Sequence, residues 1–547
     1  MPDHTTLPLT GYSLFWGDTH HNTYMGHRQN PPLEEVLRFA ATHLDFYTGA
    51  YYTPLFRNAP ILPQACAPAD GQPCGPFTGV GIEDSKKPEK MAEEWWEIER
   101  LAACFNLPGR FVMFPGYEWQ GNGRWGDHNV IFPCEGHPVE LPDTLPELHR
   151  FARAHGALAI PHHIAYNPGH RAPLWRAEDE TVSPFAELYS VHGCSETDEE
   201  CLGLRNNLHM GPGVGGSTYQ DALDAGLHIG AIASTDNWAN MPGQWDQGLA
   251  ACLATDLTRE ALWEAFRARR VYGVTGDRIE LDFTLNGHPM GSLIEAADRR
   301  AIAVTVRGWD AIDRIELLKN GRVIATHCHQ GTWEQPAAGK PALYRLRLEF
   351  GWGSRTTEMP ADEKHWSNRC RLDSGQFTGW SPGWITRGQG IPELNGDTAA
   401  FAIVTRQTDL TFKRFNSTVL EFEADPAAGM TLQLGELGGR FTVADLACRS
   451  RMFWGRDEVQ QRIQRLTGVT PDIPKRDDVY FHHAWKAKQH RAIPEAGYTA
   501  RLDVTDDEPL DRETHYRVRV EQRNGQRAWS SPIWVRPTRE QAGKPIK

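Results

Sequence analysis

Five short segments concentrate residues that could do chemistry: WGDTHHNT (16–23), PGYEWQGNGRWGDHNVIF (115–132), AIPHHIAY (159–166), ELYSVHGCSE (187–196) and GAIASTDNWANMPG (230–243). Each holds histidine, a carboxylate, or both. Imidazole and carboxylate are the usual ligands of Zn, Mn or Fe, and a hydrolytic site needs several of them with one position left for water. An ion held this way lowers the pKa of that water until hydroxide forms near neutral pH. One such histidine is ordinarily just a hydrogen-bonded cleft residue. His20, Glu118, His162 or His163, and Asp236 taken together point to a metal-dependent hydrolase.

Other residues have two readings. His192 could be a general acid or a substrate contact, or a structural histidine. Glu187 and Glu196 are open in the same way. His21 is expected to face away from His20, because alternate residues of an extended strand face opposite sides. Arg124, Arg28 and Arg205 could grip an anion in a bidentate manner. Trp119, Trp125, Tyr51, Tyr52 and Trp238 could form an aromatic wall, or simply core. Arg269, Arg270, Tyr272 and Gly276 are expected to pin the last helix of the N-terminal half to the C-terminal half.

The elements that must position these groups change character near residue 278. Before it, LEEVLRFAATHLDF (33–46), KMAEEWWEIERLAACF (90–105), ELHRFARAHG (147–156) and YQDALDAG (219–226) have helical apolar spacing. Helix, glycine stop and apolar run repeat as in a parallel α/β fold. Asp18, His20, Glu118, His162, His163 and Asp236 all fall at strand ends, where α/β barrels carry their sites. After residue 278, IELDFTLNGHPMGS, RAIAVTVRGWDAIDRIELLKNGRVIA and HYRVRVEQRNGQRAWSSPIWV alternate apolar and polar residues around turn signals such as Asn320-Gly321. That pattern predicts an antiparallel sandwich. The domains are thus expected at 1–278 and 279–547, with 355–510 as irregular β structure inserted into or packed on the sandwich.

Bulk composition narrows the class. A chain of 547 residues, 40% hydrophobic, can bury more than one core. Its formal net charge of −13 excludes a basic nucleic-acid-binding face. No run approaches the ~18 apolar residues of a membrane helix, and the start has no secretory pattern, so a cytoplasmic enzyme without membrane or nucleic-acid partners is expected. The ten cysteines form no C-x-x-C pair. Cys66 and Cys74 could form a disulfide, although free thiols fit a cytosolic protein better.

At these residues the chain resembles the PHP (polymerase and histidinol phosphatase) superfamily. WGDTHHNT looks like a variant of its opening motif, and PGYEW, PHH and STDN follow in the family's order. The resemblance is closer to a branch carrying GYEW…NVIF, PHH, HGxSE, STDN, RRVYxxTG and a C-terminal AWSSPIW strand, all present between residues 16 and 535. It implies a distorted (β/α)7 TIM-like barrel followed by the β-sandwich. It also implies a first metal on His20, Asn22, Glu118 and Asp236, with asparagine replacing one histidine. The implied second metal uses Glu118, His128 and either His162 or His163.

The family's third site looks lost. Tyr51 and Tyr52 stand where it has a histidine motif, Trp238 replaces another histidine, and His27 alone would remain. One or two Zn, Mn or Fe ions are therefore expected. The implied reaction is hydroxide attack on an ester of a small anionic substrate, a phosphate or sulfate ester. Glu118 would anchor the ions, His163 or His192 would protonate the leaving group, and Tyr51, Tyr52, Arg124 and Trp238 would contact substrate. Alternatives are hydrolysis of an amide, lactone or glycosidic bond, and an inactive binding protein.

Overall fold

The computed structural model describes residues 11–23, 31–53, 88–204, 210–237, 241–295, 297–353, 363–406, 415–476 and 478–537. Cys66, Cys74, His27, Arg28, Arg205 and Trp238 lie outside them, so the possible Cys66–Cys74 disulfide does too. The eight described cysteines are free thiols. No described helix is long and apolar enough to cross a membrane.

The N-terminal half is α/β. Its strands are β1 (Ser13–Thr23), β2 (Phe46–Tyr52), β3 (Val112–Phe114), β4 (Gly116–Trp119), β5 (His128–Ile131), β6 (Leu158–Pro161), β7 (Phe185–Ser190), β8 (Gly193–Cys194), β9 (Gly230–Ala233), β10 (Leu249–Ala254) and β11 (Val271–Val274). Its helices are α1 (Leu33–Ala40), α2 (Pro88–Phe105), α3 (Leu145–His155), α4 (Tyr219–Asp224) and α5 (Arg259–Arg267). α1 is shorter than its apolar spacing predicts because Phe46 already belongs to β2. α3 shows why these segments form helices. Glu147 accepts hydrogen bonds from the Thr144 amide and hydroxyl at its start, Gly156 closes it at φ 64°, and Leu145, Leu148, Phe151 and Ala152 form its buried face.

The sheet is mixed rather than all parallel. β2 runs parallel to β1, β3 and β4, and β7 parallel to β9. β4–β5, β5–β6, β1–β10 and β10–β11 are antiparallel. Only residues 120–127 join β4 to β5, too few for the crossover that parallel strands need. β7, β8 and β9 form a separate three-stranded sheet, and among the described residues the hydrogen-bonded strands do not close into a ring. At Gly116 the strands approach so closely that a Cβ would collide with the Gly49 carbonyl.

Strand pairing does not stop at residue 278. β11 pairs with Arg527–Ser530, which continues the same sheet into Thr514–Gln522 and Ile533–Arg536. One apolar core accordingly includes Tyr47, Met113 and Val130 together with Val304, Ile315 and Val520. The Arg269 guanidinium lies 5.5 Å from the Trp534 ring, and Tyr272 donates to the Ile279 carbonyl at 2.8 Å, so these two join the halves, whereas Arg270 bonds within the first, to the Leu253 carbonyl and Glu264.

The stretch expected to be irregular is instead regular. A six-stranded sheet centred on Ala342–Gly351 and Phe415–Ala424 faces a five-stranded sheet centred on Glu363–Leu372 and Thr398–Arg406. Leu346, Leu348, Phe350, Trp366, Phe401 and Leu420 share the core between them. Long loops and many Trp, Gly and Pro residues obscured the period-2 pattern in the sequence.

Candidate metal centre

β1 delivers His20 and Asn22 to one side and His21 to the other. His20 Nδ1 lies 2.9 Å from Glu187 Oε2, and Asn22 Nδ2 donates to Asp236 Oδ1 at 2.8 Å. His21 Nδ1 instead meets the Tyr47 hydroxyl at 2.9 Å. Asp18 is taken up by local structure. It accepts from the His20 and Thr235 amides, the Thr235 hydroxyl and the Gly243 amide, and so fixes the loop that carries Asp236 against β1.

Glu118 ends β4. Its Oε2 is 3.6 Å from His20 Nε2 and its Oε1 3.9 Å from His162 Nε2, while Gln120 donates to Oε1 at 2.5 Å. His162 and His163 are consecutive, and in a regular strand they would face opposite ways. His163 takes φ 34°, which turns the chain so that both rings face the cluster, centroids 4.4 Å apart. Asp236 is likewise left-handed at φ 45°. Such conformations cost of order 1–3 kcal/mol each and collect at functional sites.

Asp236 joins the two ends of the cluster. Oδ1 lies 3.3 Å from His20 Nε2 and Oδ2 3.0 Å from His192 Nε2. The other His192 nitrogen meets the Tyr166 hydroxyl at 2.8 Å. Asp127 faces His163 Nε2 at 3.3 Å and forms a close ion pair with Arg171.

The donor atoms behave as ligands would. His20 Nε2, both nitrogens of His162, His163 Nδ1, Glu118 Oε2, Asp127 Oδ1 and Asn22 Oδ1 are buried without a hydrogen-bond partner. Buried polar groups are rarely left so. The sets His20–Glu118–His162, His20–Glu187–Asp236, Asp127–His162–His163 and His163–His192–Asp236 each bring three donor atoms within 4.8 Å of one another. The residues therefore fit a divalent cation.

The electrostatics show how strongly the carboxylates act on the cluster. Burial disfavours a charge on His20, but Asp236, Glu187 and Glu118 outweigh it and hold its pKa well above the ordinary value. Burial, reinforced by His20 and His163, pushes His162 well below its ordinary value. Burial raises the Asp236 pKa, yet His20, His192 and His163 overcome this and keep it a carboxylate.

Several sequence expectations are redistributed. His128 is not beside Glu118. In the antiparallel pair β4–β5, Glu118 stands opposite Asn129 while His128 stands opposite Trp119, on the other face. Its nitrogens meet the Gly126 carbonyl at 3.2 Å and Glu178 at 3.0 Å. Tyr51 is core: it donates to Glu94 at 2.7 Å and packs on Trp95. Trp119 is also core, donating to the Pro142 carbonyl. Tyr52 pairs with Glu118 in the sheet and lies within the field of Glu118, Arg171 and Asp127. Arg124 is exposed, and its amide bonds to Asn122. Glu196 is buried against Arg517, Arg519 and Trp529, a joint between the halves.

Sequence reasoning missed Asp127, Gln120, Arg171 and Tyr166. Asp127 and Tyr166 sit inside quoted motifs, one residue before His128 and three after His163. Arg171 lies in a loop with no periodic signal.

Residues 217–303 match the model of a family described as a protein of unknown function (DUF3604). An uncharacterized protein of Chlamydia pneumoniae is 27% identical over 271 residues, 44% of this chain and 42% of that one. An uncharacterized protein of Chlamydia trachomatis is 26% identical over 320 residues, 51% and 50% of the two chains. The chain thus spans about half the length of the curated relatives it matches. A solved two-domain protein from Bacteroides vulgatus, described as containing a predicted PHP-like metal-dependent phosphoesterase, aligns over 58% of this chain and 83% of its own, with 12% identity and a TM-score of 0.32.

Proposed function

We propose that this protein is a metal-dependent hydrolase of a small anionic ester, a phosphate or sulfate. The observation that carries the proposal is the convergence of His20, Glu118, His162, His163 and Asp236, with imidazole nitrogens of His20, His162 and His163 and a Glu118 oxygen buried and unpartnered. In this reading β1–β11 wrap the cluster as a distorted barrel, residues 1–278 are the catalytic unit, and the remainder is accessory.

His20, Glu118, Asp236 and His162 would hold one ion. Asp127 with His163, or His192 with Asp236, would hold or face a second. A divalent ion bound there would polarise the ester and lower the pKa of a neighbouring water. A cation bound there would displace the proton on His20 Nε2, while Glu187 would keep the other on Nδ1, so that the Nε2 lone pair faces inward. Gln120 fixes Glu118, and Asn22 fixes Asp236. Burial lowers the His163 pKa, so its Nδ1 can take a proton from the attacking water and return it to the leaving oxygen, while Asp127 orients the ring. Arg171 stands at the edge of the cluster, its side chain 32% exposed, where it can pair with an anionic substrate oxygen.

The test is metal content by elemental mass spectrometry together with turnover of nitrophenyl phosphate, sulfate and acetate. A drop of one to two equivalents of ion in Asp236→Ala, along with loss of turnover of an anionic ester, is the expected result. A folded protein that takes up no ion on reconstitution, or a Glu118→Gln variant with ion bound and full turnover, would overturn it.

A further inference from the structure

Three side chains outside this cluster form a set of their own. His128 comes from β5, His149 from the buried face of α3, and Glu178 follows a short turn at Trp175–Ala177. His128 Nε2 is 3.0 Å from Glu178 Oε1, and His149 Nε2 is 3.5 Å from Glu178 Oε2. The three side chains are 0%, 4% and 0% exposed.

Proton bookkeeping shows what the set lacks. His128 Nδ1 faces the Gly126 carbonyl, which can only accept, so Nδ1 carries the proton. A neutral His128 then presents a bare Nε2 lone pair to a carboxylate. His149 Nε2 is buried with no hydrogen-bond partner and aims at the same carboxylate. A cation between them satisfies all three groups. A backbone carbonyl that holds the far nitrogen of an imidazole is the usual support of a metal-binding histidine. Two nitrogens and one oxygen suit zinc, and ligands ~2.0–2.1 Å from a tetrahedral ion stand about 3.3 Å from one another.

We propose that His128, His149 and Glu178 form a second, structural binding site for a divalent cation, zinc by its donor set. Because all three side chains are buried, a substrate has no route to the ion. Its ion fastens β5 to α3 and to the loop that enters β7. Ser183, which donates to the Ala159 carbonyl at 2.7 Å and lies 3.2 Å from Glu178 Oε2, holds that loop against β6. The proposal does not depend on the activity assigned to the main cluster. The ion-free alternative is an imidazolium on His128 paired with Glu178.

The test separates the two sites. A His20→Ala/Asp236→Ala double variant, shown to be folded by circular dichroism and freed of metal by chelator, is titrated with Zn²⁺. It should take up one equivalent and gain in melting temperature, and adding His149→Gln should abolish both effects. No uptake by the folded double variant, or one equivalent still bound after His149→Gln, would overturn the proposal. If the double variant does not fold, wild type and His149→Gln are compared directly. Loss of one equivalent supports the site, and equal stoichiometry refutes it.

Discussion

His20 Nδ1 and Glu187 Oε2 stand 2.9 Å apart in a position closed to solvent, and this contact decides which nitrogen of His20 faces the cluster. Carboxylates that orient a metal-binding imidazole are worth about 10–100-fold in affinity. Glu187→Ala should therefore weaken ion binding by about that factor, with Glu187→Gln intermediate because its amide oxygen can still accept. Calorimetric titration with Zn²⁺ or Mn²⁺ measures it. Unchanged affinity in Glu187→Ala would remove His20 from the ligand set.

Arg171 is placed at the cluster by both an ion pair with Asp127 and the pull of Glu118 and Asp236. Hydrogen bonds to charged groups contribute about 1.5–3 kcal/mol, roughly a factor of 10–100. Arg171→Ala should lower kcat/KM for an aryl phosphate or sulfate by that factor, mainly through KM, and should lower it less for a neutral aryl acetate. Equal losses on charged and neutral esters would show that Arg171 serves Asp127 alone.

How far the site could be read from sequence depended on strand geometry. His20, Glu118 and Asp236 were legible because each ends or follows an apolar run. The choice between His162 and His163 was not, because strand alternation allows only one of them inward. The left-handed His163 brings both to the cluster, and no residue pattern announces a positive φ at histidine. His128 was misplaced for the opposite reason: strand order was legible, but the antiparallel register that sends it to the Trp119 face was not. In the C-terminal half the alternating strands were evident, whereas the facing six- and five-stranded sheets were hidden by long connections and many Trp, Gly and Pro residues.

Glu196 tests the boundary between site and scaffold. It lies in the histidine-bearing HGCSE segment, but its oxygens meet Arg517, Arg519 and the Trp529 indole. Breaking a buried pair by removing one partner costs about 3–5 kcal/mol. Glu196→Ala should lose about that much in urea unfolding while its native-state ion stoichiometry stays the same. A loss below about 1 kcal/mol would show that the joint is not a buried ion pair in solution.

Asp282, on the Glu280–Leu285 strand outside the candidate metal centre, gives a pH signature of its own. Burial pushes its carboxyl up to about 6. A carboxyl whose folded pKa exceeds its unfolded value, about 3.9, favours folding below the unfolded value and loses that contribution as pH rises through the folded one. Part of the stability should therefore decline between about pH 4 and pH 6, and Asp282→Asn should flatten that decline. Melting curves across this range check it. An unaltered slope in the variant would mean that Asp282 keeps its ordinary pKa.

The Ser531 hydroxyl both accepts from the Ala231 amide at 3.0 Å and donates to the Val271 carbonyl at 2.5 Å. Ala231 belongs to β9, the strand that leads into Asp236. During synthesis at about 5–20 residues per second, every residue of the main cluster leaves the ribosome long before Ser531 does. The nascent chain thus holds every proposed ligand while the support beneath one of them is still missing. In the proposed reading, assembly of the centre waits on translation of residues 527–531, and ribosome-stalled chains ending before residue 527 would carry its histidines without the support that Ser531 gives β9.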